Sequence, residues 1–486
     1  MEGTRVQFLE DVLAVLKSLS GPRIVWVAGM AGTGKTSIAL TLCNRLAESS
    51  STCLGGTFFC SRSAGSIERT DVRRIIPTLA ASLARQLPDY AVKLEKELER
   101  EPEVSHRPVR AQLEFLLKHP LEKVVPLGNQ IIFVVDALDE CSDQGQLAEL
   151  LNALADLNED FRVKFLLTSR PEMHIRDSPI NDPGLSSILQ LHTIDPDQVM
   201  GDIRLYISKT LENASSSTSW YSTSDVDALV RLSAGLFIFA ATVLKYIRDR
   251  GTVRGRQERL RKATSAVKAS HAAIAPVDRI YEFILTEASR SDCVDDDELL
   301  ATQNVLACIL VIRASISVDA LAELIRVEAE DLRECLERLH SVVYLPQDNK
   351  TSGVRTLHAS FGDYLYDRAS SSLRIERPLG DGIMARGCLQ VMEKCLHFNI
   401  SRSRSSYKAN SLASPQTVTL SLRYACLQWI YHVASLEQPS LLDEKISKVF
   451  RPGFLFWLEV ISILGLVRRA AAMLIFSAAT VRCIFS

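Results

Sequence analysis

"RIVWVAGMAGTGKTS", Arg23 to Ser37, is the stretch that decides the fold. Its first half, Arg23 to Gly29, is a short apolar run rich in β-branched and aromatic residues, which predicts a buried strand. Gly29, Gly32 and Gly34 tolerate backbone angles that side chains forbid. The amides of Gly29, Met30, Ala31, Gly32, Thr33, Gly34, Lys35, Thr36 and Ser37 can therefore wrap one phosphate group. A helix-compatible segment from Thr36 to Leu46 follows and points its positive end at the same place. Strand, glycine loop and helix is the context that a G-x-x-x-x-G-K-[ST] string requires before it reads as a phosphate loop. In such a loop Lys35 reaches the β- and γ-phosphates, and the Thr36 hydroxyl ligates Mg²⁺.

Two later stretches strengthen this reading. IIFVVDALDE, Ile131 to Glu140, is an apolar run ending in acids, so Asp136 falls at the carboxyl end of a buried strand, where α/β sheets hold their ligands. Asp136 is the Mg²⁺ carboxylate candidate, direct or through water. Asp139 and Glu140 stand where a carboxylate can orient a water at the γ-phosphate. Capping of the next helix explains Asp143 but not three acids directly behind a hydrophobic strand. VKFLLTSRP, Val163 to Pro171, is a third apolar strand with Arg170 at its end, placed to sense or stabilise a γ-phosphate. A solvated surface position is the alternative for Arg170.

On these residues the chain resembles the NACHT group of STAND ATPases, of the fungal NOD-like receptor type. "GMAGTGKTSIA" is similar to their Walker A, "IIFVVDALDEC" to their Walker B and "FLLTSRPE" to their sensor 1. "RRIIPTLAASLARQLPDY" resembles the helical insert before the Walker B strand, "GLFIFAATV" the glycine-aromatic helix, "HASFGDYL" the end of the winged helix and "FWLEVISILG" the segment leading toward a repeat domain. The resemblance implies ATP/ADP and Mg²⁺ as ligands, Asp139 as the water-positioning carboxylate, and His358 as a histidine that contacts a bound diphosphate. An interior histidine satisfied by backbone is the other reading of His358. One departure concerns the base: many relatives have a proline in a G-x-P element, whereas Gly235 here is followed by Leu236 and Phe237. The family's signalling domain and repeats are not expected in this chain.

The bulk composition sets limits. The 486 residues suit an α/β unit followed by smaller helical modules, and 56 basic against 58 acidic residues give no global pull toward nucleic acid or anionic lipid. Eleven cysteines without a C-x-x-C pair argue against a zinc site or a disulfide framework and for a reducing, cytoplasmic setting. The N-terminal stretch reads as an amphipathic lead-in helix, not a secretory signal. Leu232 to Leu244 and Phe454 to Val467 are apolar but too short to span a bilayer, which takes about 20 residues.

The expected fold class is an α/β P-loop NTPase domain with a parallel sheet of ASCE type, then a helical domain, a winged helix and a C-terminal all-α segment. The expected boundaries are a linker helix over 1–21, the nucleotide-binding domain over 22–195, a helical domain over 196–270, a winged helix over 271–375 and helices over 376–486, with the last segment incomplete. Within these, Ala214 to Ser224 reads as a solvated serine-rich loop, and Asn213-Ala214-Ser215 as a silent glycosylation sequon. Asp225 is expected to cap a helix pair bent at Gly235, and Arg254 to Lys268 to be a basic linker. The order helix (Leu299 to Ile312), helix (Val318 to Ile325), helix (Ala329 to Leu339), strand (Val342 to Leu345), turn (Asp348 to Gly353), strand (Val354 to His358) predicts the winged helix. Its third helix carries Glu328, Glu330, Asp331, Glu334 and Glu337 against Arg333 and Arg338, the wrong sign for DNA. Serine-rich joints fall around Ser370 and over Ser401 to Ser406, and the last 33 residues are expected to end inside a helical array with a sticky face.

The implied function is a nucleotide-operated switch with slow hydrolysis and self-association in the ATP state, with upstream ligand and downstream effector open. Neither nucleic acid nor membrane is an expected partner. A DNA-associated ATPase of the replication-initiator type and a non-hydrolysing nucleotide-binding scaffold are the competing readings. GTP specificity has no N-K-x-D string behind it.

Overall fold

The structure is a computed structural model. It describes residues 3–18, 21–49, 52–62, 67–122, 124, 130–157, 163–182, 185–214, 220–248, 252–269, 275–288, 296–346, 353–401, 418–467, 470–471 and 473–474. The expected serine-rich loop and sequon (215–219), hairpin turn (347–352), second serine-rich joint (402–417) and final apolar residues (475–486) lie wholly or partly outside these ranges. The chain divides into two compact units, with the division between Ile280 and Tyr281.

In the first unit five parallel strands form one sheet: β1 (Ile24–Ala28), β2 (Thr52–Phe59), β3 (Gln130–Asp136), β4 (Val163–Ser169) and β5 (Ser186–Gln190), in the order β2-β3-β4-β1-β5. Strand β4 thus lies between the strand that leads into the glycine loop and the strand that ends in Asp136. The three central strands β1, β3 and β4 read as nearly unbroken apolar runs because both faces are covered. Alternation divides their residues between two cores. Val25, Val27, Ile132, Val134 and Leu166 pack with the lead-in helix Val6–Lys17 and the loop helix Lys35–Ala47. Ile24, Trp26, Phe133, Val135, Phe165 and Leu167 pack against residues of the helices Ile75–Gln86 and Gln144–Ala155 on the other face.

The lead-in helix buries Leu9, Val12 and Leu16, spaced three and four apart on one stripe. Each contributes about 1.5–3 kcal/mol of apolar burial. Lys164, buried within β4, donates its Nζ to the Val15 carbonyl at 2.6 Å, a last-turn carbonyl of that helix. Burial pulls its pKa below the ordinary lysine value.

Beyond the sheet come Pro196–Glu212, Thr223–Ser233, Phe237–Arg248 and Val253–Ala269, all helical. Two expectations need correction here. The cap of the second of these helices is Ser222, not Asp225. Ser222 Oγ accepts the Asp225 N–H (3.2 Å) while Asp225 Oδ2 accepts the Ser222 N–H (2.8 Å), a reciprocal capping box that puts the acid in the first turn. The basic stretch is a helix of 17 residues and not a linker. Leu260 and Ala263, three apart, are buried on one side of it, and Glu258 pairs with Arg261 on the other.

The division falls within the helix Pro276–Ala288, and the second unit continues with the helices Asp296–Leu310, Val318–Ile325 and Ala329–Arg338, followed by β6 (Val343–Tyr344) and β7 (Arg355–Thr356), an antiparallel pair. The acids Glu328, Glu330, Asp331, Glu334 and Glu337 are exposed. Three longer helices follow, Arg377–Cys395, Leu420–Ala434 and Asp443–Ile463. A buried polar chain joins the first two of them: the His432 ring meets Asp381 Oδ1 at 2.7 Å through Nδ1 and the Tyr424 hydroxyl at 2.9 Å through Nε2. Among the described residues no helix is long and apolar enough to cross a membrane.

Candidate phosphate-binding site

The glycine loop leaves β1 at a buried Gly29, whose N–H donates to the Ser169 carbonyl at 3.1 Å, so the loop's first residue is held against β4. Trp26 Nε1 adds a 2.8 Å bond to Ser169 Oγ. Gly32 (φ +78°) and Gly34 (φ +94°) take left-handed conformations that a side chain would strain. Thr33 tightens the turn by donating its hydroxyl to the Met30 carbonyl at 2.9 Å. Gly34 is the N-cap of the loop helix and no side chain caps it, which leaves the first-turn amides of Lys35, Thr36 and Ser37 for an anion. Met30, Thr36 and Ser37 are exposed, and Ala31 and Lys35 half-buried.

Lys35 Nζ donates to the carbonyls of Gly29 (2.7 Å) and Met30 (3.0 Å), folded back on its own loop. Burial draws its pKa below the ordinary lysine value, opposed first by Asp139; Arg170, Asp136 and Glu140 are also within electrostatic reach. These are the charged residues singled out from the sequence, and the fold gathers them around one ammonium.

Asp136 is 1% exposed at the end of β3, and Thr168 Oγ1 donates to its Oδ1 at 2.5 Å. Burial raises the Asp136 pKa above the usual carboxylate range, against the hydroxyls of Thr168 and Thr36. Thr168 Oγ1 also accepts the Ala137 N–H at 2.9 Å. Ala137 takes a left-handed conformation (φ +57°) that turns the chain sharply after Asp136. The hard oxygen donors of Thr36 and Asp136 fit Mg²⁺.

Asp139 is bound at both oxygens by one residue: the Arg170 N–H reaches Oδ1 at 2.9 Å and Arg170 Nε reaches Oδ2 at 3.1 Å. Glu140 Oε2 accepts the Arg62 N–H at 2.8 Å, and the Arg62 guanidinium donates to the Asp139 carbonyl. Burial raises the Glu140 pKa, with the Arg62 N–H opposing it. Asp143, as expected, caps the next helix by accepting the Gln146 N–H at 2.9 Å. His358 lies in the second unit, where it caps the short helix Ala359–Asp363; its Nδ1 accepts the Ser360 N–H at 3.1 Å.

Three residues at the site were not assigned a role from sequence. Thr168 lies inside the VKFLLTSRP stretch, and Arg62 lies outside every motif. Ile238, in the first turn of Phe237–Arg248, donates its N–H to the Gly32 carbonyl at 3.1 Å and sets its side chain where a Gly32 Cβ would be, at 2.1 Å. No local pattern marks such a contact, because its partners are far apart in the chain.

A family model described as Nephrocystin 3, N-terminal, matches residues 3–170. No curated protein matches the chain. A STAND protein with a tetratricopeptide repeat sensor from Pyrococcus horikoshii is similar in structure at 11% identity and TM-score 0.41, over 96% of this chain and 57% of that one. The chain therefore spans little more than half the length of that protein. Cdc6p from Pyrobaculum aerophilum (12% identity, TM-score 0.38, 81% of this chain and 95% of that one) and ORC1 from Aeropyrum pernix, solved in complex with DNA (15%, 0.31, 78% and 92%), are also similar. With β4 between the glycine-loop strand and the carboxylate strand, the first unit has the expected α/β P-loop NTPase fold with a parallel sheet of ASCE type.

Proposed function

We propose that this chain is an adenine-nucleotide switch of the fungal NOD-like receptor type: ADP holds a closed form, exchange for ATP favours a self-associating one, and slow hydrolysis resets it. The observation that supports this best is the grouping of Lys35, Thr36, Asp136, Asp139 and Arg170 at the carboxyl ends of β1, β3 and β4. Loop amides and Lys35 would hold the phosphates, with Lys35 exchanging its own loop carbonyls for phosphate oxygens. Thr36 and Asp136 would hold Mg²⁺, which neutralises charge on the β- and γ-oxygens.

The Asp139–Arg170 pair suggests how the two charges are used. A γ-phosphate competes with Asp139 for the Arg170 guanidinium; as Arg170 turns to it, the carboxylate gains a free oxygen with which to orient a water. In this reading the winged helix, its acidic third helix exposed, packs or signals and does not grip a phosphate backbone. His358 is kept as the diphosphate contact that the family resemblance implies.

The test combines phosphate release with mass in solution. Wild type should release phosphate slowly, Asp139→Ala about ten-fold more slowly or less, and mass should rise with ATP but not ADP. Equal release by both proteins would favour the non-hydrolysing scaffold. Salt-sensitive retention on DNA would favour the initiator-like ATPase.

A further inference from the structure

Cys60 immediately follows β2, and its N–H donates to the Asp136 carbonyl at 3.0 Å. Cys141 immediately follows Glu140, and its N–H donates to the Leu138 carbonyl at 3.1 Å. The two sulfurs are 3.6 Å apart although the residues are separated by 81 positions, and the side chains are 4% and 5% exposed. A disulfide is about 2.05 Å long, so the sulfurs need to close by roughly 1.5 Å. Arg62, two residues past Cys60, already binds Glu140 and the Asp139 carbonyl, so the two segments are joined by hydrogen bonds at the same place.

We propose that Cys60 and Cys141 form an oxidisable dithiol whose disulfide pins the acidic loop after β3 and thereby slows the proposed nucleotide site. The regulatory half rests on the switch reading above; bond formation does not. The oxidant is a peroxide. One cysteine sulfur attacks a peroxide oxygen, breaking the O–O bond, to give a sulfenic acid and one water; the second sulfur then displaces the sulfenic hydroxyl as another water, forming the S–S bond. Two thiols are oxidised and one hydrogen peroxide is reduced. Burial of both sulfurs favours this small neutral oxidant over a bulky disulfide such as oxidised glutathione.

The bridge ties Cys141, the neighbour of Glu140, to the end of an edge strand. It leaves the glycine loop untouched. Binding should therefore survive oxidation while the adjustment of Asp139 and Glu140 needed for hydrolysis is restrained.

The experiment treats the full chain with hydrogen peroxide and maps peptides without reduction. Expected are a Cys60–Cys141 cross-linked peptide, lighter by the two thiol hydrogens and reversed by a dithiol reductant, and slower amide exchange over residues 138–142. ADP affinity should change less than about two-fold and phosphate release should fall by about five-fold or more. Cys60→Ser, under the same peroxide, should keep the exchange and release of reduced wild type. Oxidation that reaches other cysteines without this cross-link overturns the proposal, as does a cross-link that leaves exchange over 138–142 unchanged. If reduced protein binds no nucleotide, the switch reading and the regulatory half fall together, and the cross-link and exchange still decide the dithiol.

Discussion

Thr168 shows how much a single hydroxyl is asked to do. Fully buried, it donates to Asp136 and accepts from Ala137, so it fixes the carboxylate and the left-handed turn behind it together. Thr168→Val keeps the shape and removes both bonds. It should cost about 1–3 kcal/mol, the price of a buried unpaired N–H, and weaken nucleotide binding more with Mg²⁺ than without. Chemical denaturation and nucleotide titration in magnesium and in chelator check this; equal weakening in both would separate Thr168 from the metal site. Lys35 and Asp136 were legible in the sequence because chemistry restricts those positions to few residue types behind a strand. Thr168, Arg62 and Ile238 were not, since their partners are set by the register of β3 on β4 and by helix packing.

Among elements, the helix Phe237–Arg248 is tied to the glycine loop through Ile238. A Cβ added at Gly32 would sit 2.1 Å from Ile238 Cγ2, at a backbone φ of +78°. Gly32→Ala should therefore destabilise in two separable ways. About 1 kcal/mol comes from the left-handed backbone, and about 1–3 kcal/mol from overpacking. Adding Ile238→Ala should recover the second part only, a coupling read from a double-mutant cycle. Strict additivity would show that the contact is not made in solution. The helix pair was readable from sequence, but its cap was not: Ser222 and Asp225 are both good caps three residues apart, and only the geometry shows which accepts which amide. The basic segment was misread because its charges hid a buried stripe as sparse as Leu260 and Ala263. In the second unit, burial lowers the His432 pKa from its ordinary 6.5, with the Asp381 carboxylate opposing the shift. The unfolded chain then binds more protons than the folded one at mildly acid pH. Stability is complete above pH 6.5 and falls below it, with a slope approaching ~1.4 kcal/mol per pH unit. His432→Gln should be less stable at pH 7.5 yet lose less on acidification to pH 5.5, measured by denaturant midpoints; an unchanged slope would mean another group carries the dependence.

At the scale of the whole molecule, the parallel sheet and its glycine loop follow from three apolar runs, each closed by polar residues of restricted type. The sheet order does not, because strands buried on both faces carry no alternation to say which neighbours which. The near balance of charge gives no global pull on an anion, so a phosphate has to be held by local groups. The central claim is that this loop, with Lys35, grips the phosphates of an adenine nucleotide. Titration of wild type and Lys35→Ala with fluorescent ADP and ATP, each protein shown folded by circular dichroism, tests it directly. Loss of the ammonium should weaken binding by about 100-fold, ~2.7 kcal/mol. Equal affinity of the two folded proteins would contradict the account.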